Sequence, residues 1–204
     1  KRNNSTASCN LGASGAGRTQ GRRPPVVRPF SCPQLDTALL LCNPCTRNET
    51  MNEFMQAAIE EAEYAVATAQ GGPFGAVVVR EGHIVGRGHN TVVDTRDPTA
   101  HAEVNAIREA SRVLDRFDLS DCELYTTCEP CPMCYAAAYW ARIPRIYRGA
   151  TKEDAAGIGF DDKAMYDDLA RPAEKREIQL VELDREACLE PFRYWESKPD
   201  RVPY

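Results

Sequence analysis

The chain has 204 residues, of which 43% are hydrophobic and 27% are charged, and its net charge at pH 7 is −5. This length allows one domain of ordinary size with some excess, and the hydrophobic fraction excludes a fully disordered chain. A membrane-spanning helix is excluded because no stretch of about 18 apolar residues occurs. A nucleic-acid partner is disfavoured because tight binders usually present a basic face.

The first 50 residues have a composition of their own. Residues 1–48 hold seven basic residues and one acidic residue, so this segment carries +6 and the remainder −11. The stretches Gly12–Gly17 and Arg22–Pro25 show no core-forming pattern. We expect residues 1–50 to be a low-complexity extension. Its composition fits an organelle transit peptide, a disordered segment or an upstream stretch that is not native equally well. The folded domain is expected over residues 51–204.

Hydrophobic periodicity divides this domain into alternating helices and strands. Apolar residues spaced by three and four positions predict helices, and short runs of β-branched residues predict strands. The dipeptide Glu81-Gly82 predicts a tight turn, and therefore a hairpin at the start of the sheet. Strands that alternate with helices indicate an α/β sandwich. In chain order, the predicted elements are helix Met51–Ala69, strands Phe74–Arg80 and His83–His89, helix His101–Leu114, strand Glu123–Thr127, helix Cys131–Arg142, strand Arg145–Arg148, helix Asp162–Leu169, strand Ile178–Leu183 and helix Arg185–Trp195.

The nine cysteines indicate metal binding rather than a disulfide framework. Their number is odd, and Cys128, Cys131 and Cys134 follow one another at C-x-x-C-x-x-C spacing, too close for a network of cross-links. Metal ligation in a reducing compartment fits this pattern. We therefore expect a cytoplasmic location, or an organelle if residues 1–50 are a native transit peptide. An iron–sulfur site would need a fourth adjacent cysteine, so Cys128 is interpreted as a small core residue.

Two short motifs carry the chemistry, His101-Ala102-Glu103 and Pro130-Cys131-Pro132-Met133-Cys134. His101, Cys131 and Cys134 can supply three ligands to Zn²⁺. Three protein ligands leave a fourth position for water, which is the pattern of a catalytic zinc site. Both motifs fall at predicted helix N-termini, where the helix dipole favours thiolates. Glu103 can reach the water without being a ligand, so it is interpreted as the proton shuttle.

The arrangement H-x-E…P-C-x-x-C is the signature of zinc-dependent deaminases. From about Met51 to Tyr204 the chain resembles the bacterial-type guanine deaminases, which have the cytidine-deaminase fold. The matching blocks Gly71–Ala76, Asp97–Glu103 and Cys128–Cys134 are shared with tRNA adenosine deaminases. The blocks that come later in the chain point to the guanine branch. The resemblance implies a three-layer α/β/α sandwich with a central mixed sheet of about five strands. The matching blocks are Gly71–Ala76, Asp97–Glu103, Cys128–Cys134, Tyr139–Arg142, Gly159–Asp162 and the terminal Tyr204.

The resemblance also implies a reaction and a set of site residues. The reaction is the hydrolytic deamination of guanine, a free purine base, to xanthine and ammonia, with Zn²⁺ as the cofactor. The family forms a homodimer in which an exchanged C-terminal tail closes the partner's active site. By resemblance, Asp162 would contact the exocyclic amine and assist proton transfer beside Glu103. The implied substrate-binding residues are Asn90 at the purine edge, Phe74 and Trp140 against the ring, Ala102, and Tyr204 at the end of the tail.

The sequence alone leaves other interpretations open. The protein could be another deaminase of the same fold, acting on guanosine, tRNA adenosine or cytosine; the first needs room for a ribose and the second a basic rim for RNA. It could also be a non-catalytic zinc module, against which Glu103 argues because a structural site has no use for a shuttle carboxylate. On local pattern alone, Asn90 could be a turn residue, Phe74 and Trp140 core residues, and Asp162 a helix cap.

Overall fold

The structure is a computed structural model that describes residues 51–160 and 162–203. The expected extension over residues 1–50 and the tail residue Tyr204 lie outside the described residues. None of the described helices combines the length and the apolar character that a membrane span requires. In chain order the elements are α1 (Glu53–Ala67), β1 (Gly75–Arg80), β2 (His83–His89), α2 (Val92–Thr95), α3 (Ala102–Leu114), β3 (Cys122–Cys128), α4 (Pro132–Trp140), β4 (Arg145–Ala150), α5 (Lys152–Gly157), α6 (Asp162–Leu169), a short 3₁₀ helix (Ala173–Lys175) and α7 (Arg185–Ser197).

The strands form one mixed sheet in the order β2-β1-β3-β4. β1 pairs antiparallel with β2 across the predicted hairpin and antiparallel with β3, whereas β3 and β4 run parallel. A parallel pair needs a crossover, which α4 provides between β3 and β4. The register places Gly75 opposite His89 and Cys128 opposite Ala150. One end of the sheet therefore gathers the loops that leave β2, β3 and β4.

Helices cover both faces of the sheet. Successive side chains of a strand point to opposite faces, and β1 shows this alternation. Ala76 and Val78 pack in one core cluster with residues of α3 and α4, whereas Val77 and Val79 pack in a second cluster with Ala57 of α1. α1 thus forms one outer layer and α3 with α4 the other, which confirms the predicted α/β/α sandwich.

Helix α3 lies very close to β2. A Cβ added to Gly88 would lie 2.3 Å from the carbonyl oxygen of Ala102, so only glycine allows the helix and the strand to approach this far. The contact fixes the first turn of α3, which carries Glu103, against the strand that ends just before Asn90.

The predicted strand over Ile178–Leu183 does not form within the described chain, so the sheet has four strands rather than about five. A β-strand needs a neighbour for its backbone hydrogen bonds, and no strand among the described residues pairs with this segment. Its apolar side chains remain exposed, with exposed fractions between 76% and 84% for Ile178, Leu180, Val181 and Leu183.

Candidate active site

Two of the predicted metal ligands are the N-cap residues of helices. His101 precedes α3 and Cys131 precedes α4, and neither side chain caps its own helix. An N-cap side chain ordinarily accepts a hydrogen bond from the first turn, whereas here the two side chains meet each other. Cys134 lies three residues after Cys131 on α4, which places the two sulfur atoms on the same side of the helix.

The three ligand atoms have the spacing of a tetrahedral zinc site. Nδ1 of His101 lies 3.6 Å from Sγ of Cys131 and 3.5 Å from Sγ of Cys134, and all three atoms lie within 4.8 Å of one another. With Zn–N of about 2.0–2.1 Å and Zn–S of about 2.3 Å, a tetrahedral ion would separate nitrogen from sulfur by roughly 3.6 Å. The residues therefore fit Zn²⁺ and leave one coordination position for a further ligand.

The charges within this cluster favour a cation. The hydrogen bond with Cys134 and the neighbouring His101 ring lower the pKa of the Cys131 thiol to about 4. The hydrogen bond with Cys131, burial and the carboxylate of Glu103 raise the pKa of Cys134. A second thiolate beside Cys131 is thus disfavoured by repulsion and burial, and a divalent cation removes that penalty.

Glu103 is a buried carboxylate next to the cluster. It is 6% exposed, its Oε1 accepts a hydrogen bond from the hydroxyl of Thr126 at 3.3 Å, and its Oε2 lies 3.3 Å from Sγ of Cys134. Burial raises the pKa of this carboxyl because its charged form loses hydration. A carboxyl group whose pKa is shifted toward neutrality can both accept and return a proton, as a shuttle requires.

A cavity of about 380 Å³ lies beside the cluster and is lined by His101, Glu103 and Cys131. Its volume is within the range of small-ligand sites. Asp162, the first residue of α6, also lines the cavity. The rings of Phe74 and Phe160 meet edge to face, with centroids 4.9 Å apart and an interplanar angle of 88°. They give the cavity an apolar wall of the kind that receives a planar aromatic ligand.

Asn90 presents a hydrogen-bond donor to this cavity. It is 4% exposed, and its Oδ1 accepts hydrogen bonds from the backbone N–H groups of Gly72 at 3.3 Å and Val92 at 3.2 Å. These two donors fix the orientation of the side-chain amide and leave Nδ2 as its hydrogen-bond donor. Asn105 of α3 supports the same loop, because its Nδ2 donates to the carbonyl oxygen of His89 at 2.9 Å.

Not every predicted substrate contact lies in the cavity. Ala102 is fully buried in the core cluster and does not line the cavity. Trp140 ends α4, is 61% exposed and also lies outside the cavity, so the structure does not bring it to the site of its own chain. Tyr204 is not among the described residues, and its predicted role therefore stays a prediction.

Phe160 and Glu129 line the cavity but were not predicted from the sequence. Phe160 belongs to the block Gly159–Asp162, and its closeness to Asp162 in the sequence is a signal that could have identified it. The carboxylate of Glu129 lies 3.2 Å from Nζ of Lys152 and 3.6 Å from Nε of Arg148, which balances its charge. Sequence spacing does not indicate these partners, because they come from α5 and β4.

Comparison with known proteins places this geometry in a family. Residues 48–150 match the model of the cytidine and deoxycytidylate deaminase zinc-binding region. The match covers about half of the chain and contains His101, Glu103 and both cysteine ligands. The chain belongs to this deaminase family. The zinc predicted from the sequence is thus confirmed as the cofactor of this deaminase.

Individual relatives match this chain over different fractions of its length. The chain is 45% identical to the guanine deaminase of Bacillus subtilis over 151 residues, which are 74% of this chain and 97% of that protein. An X-ray structure of guanine deaminase from B. subtilis superposes with a TM-score of 0.72 at 45% identity and covers 76% of this chain and 99% of that one. A tRNA-specific adenosine deaminase of Aquifex aeolicus is 42% identical over 105 residues, 52% of this deaminase and 69% of the relative.

Proposed function

We propose that this protein deaminates guanine hydrolytically, giving xanthine and ammonia. The observation that carries the proposal is the position of Asp162, which enters the cavity from α6. α6 lies beyond residues 48–150, the region common to the zinc deaminases, and the likeness to guanine deaminase is longer than this region. Guanine carries an exocyclic amine beside a ring N–H, and a carboxylate is a side chain that accepts from such donors.

Other groups of the cavity match the remaining parts of a free purine. Nδ2 of Asn90 is a donor suited to O6 or N7 of guanine, which are both acceptors. The edge-to-face pair of Phe74 and Phe160 offers an apolar wall to the planar ring. Because a free base has little surface to bury, its recognition depends on a few precisely placed polar groups.

Proton transfer in this reaction falls to the two carboxylates. When bound, Zn²⁺ supplies a water whose pKa is brought toward neutrality. Glu103 takes a proton from the attacking water while the water oxygen bonds to C2 of guanine. Glu103 then delivers that proton to a ring nitrogen. The new hydroxyl on C2 then gives its proton to Glu103, and Glu103, with help from Asp162, passes this second proton to the amine. The bond between C2 and the amine nitrogen breaks, ammonia leaves, and C2 becomes a carbonyl carbon of xanthine.

A second candidate is the deamination of adenosine in tRNA, which the likeness to the Aquifex aeolicus enzyme favours. Charge argues for the free base instead. Asp162 lines the cavity, and the chain carries a net charge of −5, whereas a phosphate backbone is bound by basic surfaces. Ammonia release from guanine and from a tRNA anticodon stem, measured with the purified protein, separates the two functions.

We infer that the active unit is a homodimer with exchanged C-terminal tails. α7 has no buried residue, and Phe192 and Trp195 are 69% and 44% exposed. Among the described residues, the outer edge of β4 has no paired strand, and the apolar segment Ile178–Leu183 has no strand to pair with. A second copy that placed this segment on that edge would bury both. The proposal includes Tyr204, because the resemblance implies that this residue of the tail closes the partner's cavity.

A further inference from the structure

Helix α6 carries Asp162 into the cavity but packs lightly against the domain. None of its residues, Asp162–Leu169, is buried, and its apolar residues Met165 and Leu169 are 45% and 51% exposed. The hydrophobic effect scales with the apolar area removed from water, so it contributes little to the position of this helix. Specific polar contacts therefore matter more for the position of α6 than they would for a helix with a buried face.

Tyr166 makes such a contact with the loop that ends at the metal ligand Cys131. Its hydroxyl donates a hydrogen bond of 2.8 Å to the carbonyl oxygen of Pro130, the residue immediately before this ligand. Tyr166 follows Asp162 by four positions, so both side chains project from the same face of α6. One face of the helix thus reaches the cavity and the ligand loop together.

Lys152 adds a second connection between α6 and the ligand loop. Its Nζ lies 5.3 Å from the centroid of the Tyr166 ring, which is within cation–π range, and 3.2 Å from Oε1 of Glu129. Tyr166 is therefore linked to two consecutive residues of the loop, directly to Pro130 and through Lys152 to Glu129.

We propose that Tyr166 is a positioning residue that holds Asp162 at the cavity by fastening α6 to the ligand loop. This inference rests on the proposed function, in which Asp162 handles the exocyclic amine. A hydroxyl that secures a lightly packed helix sets the fraction of molecules in which the helix is docked, and catalysis scales with that fraction. The effect of Tyr166 on turnover passes through Asp162 and through no other group.

The test is a double-mutant cycle with guanine as the substrate. Tyr166→Phe keeps the ring and its contact with Lys152 but removes the hydroxyl, and we expect kcat/KM to fall about 3- to 10-fold, the range of one hydrogen bond. In an Asp162→Asn background, Tyr166→Phe should not lower kcat/KM any further. In an Asn90→Ala background, it should lower kcat/KM by the same factor as in the wild type. Hydrogen exchange should become faster in α6 and stay unchanged in α3, and zinc content should not change. Tyr64→Phe, which removes a hydroxyl from an exposed residue of α1, is the control.

The outcomes distinguish this inference from the function on which it rests. If Asp162→Asn turns over guanine at the wild-type rate, the role of Asp162 in the proposed function is wrong. If Asp162→Asn is impaired but Tyr166→Phe lowers kcat/KM by the same factor in both backgrounds, the positioning role is overturned and the proposed function stands. Loss of zinc from Tyr166→Phe would also overturn it, because the hydroxyl would then support the ligands rather than Asp162.

Discussion

Gly71 and Asn90 pack so closely that a Cβ added to Gly71 would lie 2.2 Å from Oδ1 of Asn90 and 2.4 Å from its carbonyl oxygen. A larger residue at this position must displace Asn90 or the loop that carries it. The amide of Asn90 is oriented by the N–H of Gly72, the next residue of the same loop. The glycine thus determines where the cavity presents its donor.

Gly71→Ala should raise KM for guanine about 10-fold or more, because a displaced donor costs at least one hydrogen bond to the ligand. Steady-state kinetics of xanthine formation measure this change. Gly157→Ala is the matched control, since nothing lies within 4 Å of a Cβ at that position, and it should leave the kinetics unchanged. Wild-type KM in Gly71→Ala would contradict a binding role for Asn90.

Replacing either cysteine of the cluster should release the metal. Cys131→Ala and Cys134→Ala each leave only two protein ligands, too few to hold zinc firmly. Metal content per chain, measured by mass spectrometry, should fall from about one zinc to near zero. Cys128→Ala should keep its zinc, because Sγ of Cys128 lies 3.5 Å from the carbonyl oxygen of Thr151 and is not part of the cluster. A protein that lacks both Cys131 and Cys134 and still binds a full complement of zinc would refute the site.

Glu103→Gln should separate proton transfer from metal binding. Glutamine preserves the size of the side chain and can accept a hydrogen bond from Thr126, but it cannot act as a base. We expect kcat to fall by about 10²- to 10⁴-fold, the usual contribution of general acid–base catalysis, with zinc content unchanged. Assays that are stopped after a fixed time and then measure the xanthine formed suit this slow variant. If turnover stays near normal, the proton is carried by another group.

Deletion of residues 198–204 should strongly reduce the rate of guanine turnover, because the tail is proposed to close the partner's cavity. The zinc content should stay unchanged. Mixing this truncated protein with Glu103→Gln should restore activity, since one site of the mixed dimer then has both an intact Glu103 and an intact tail. Labelled chains verify that exchange has occurred. Wild-type rates from the truncated protein would remove the tail from the site, and exchange without recovery of activity would argue against swapped tails.

The zinc site could be predicted from the sequence because its geometry is local. His101 and Cys131 are N-cap residues, and Cys134 follows three positions later, so spacing along the chain determines most of the cluster. The only long-range requirement is that two helix N-termini meet at one end of the sheet. The hairpin and the helical layers on both faces followed from hydrophobic periodicity in the same way.

Features that depend on distant segments could not be predicted in this way. Phe160 reaches Phe74 only through the fold, and the pairing of Glu129 with Lys152 joins a loop to α5. The segment Ile178–Leu183 has the apolar pattern of a strand, but such a pattern does not show whether a partner strand is available within the same chain. The exposure of Trp140 likewise depends on which neighbours cover α4, and the sequence of α4 does not indicate which neighbours these are.

The most direct test of guanine as the substrate is a comparison of kcat/KM across purified, zinc-loaded protein incubated with guanine, guanosine, cytosine and a tRNA anticodon stem, with ammonia release as the common readout. We predict that guanine is converted to xanthine with kcat/KM at least about 100-fold above any of the others, since a site that hydrogen-bonds specific edges of a base rejects ligands that leave its buried polar groups unpaired. A protein that holds its zinc but releases no ammonia from guanine, or that prefers one of the other three substrates, would contradict the proposed function.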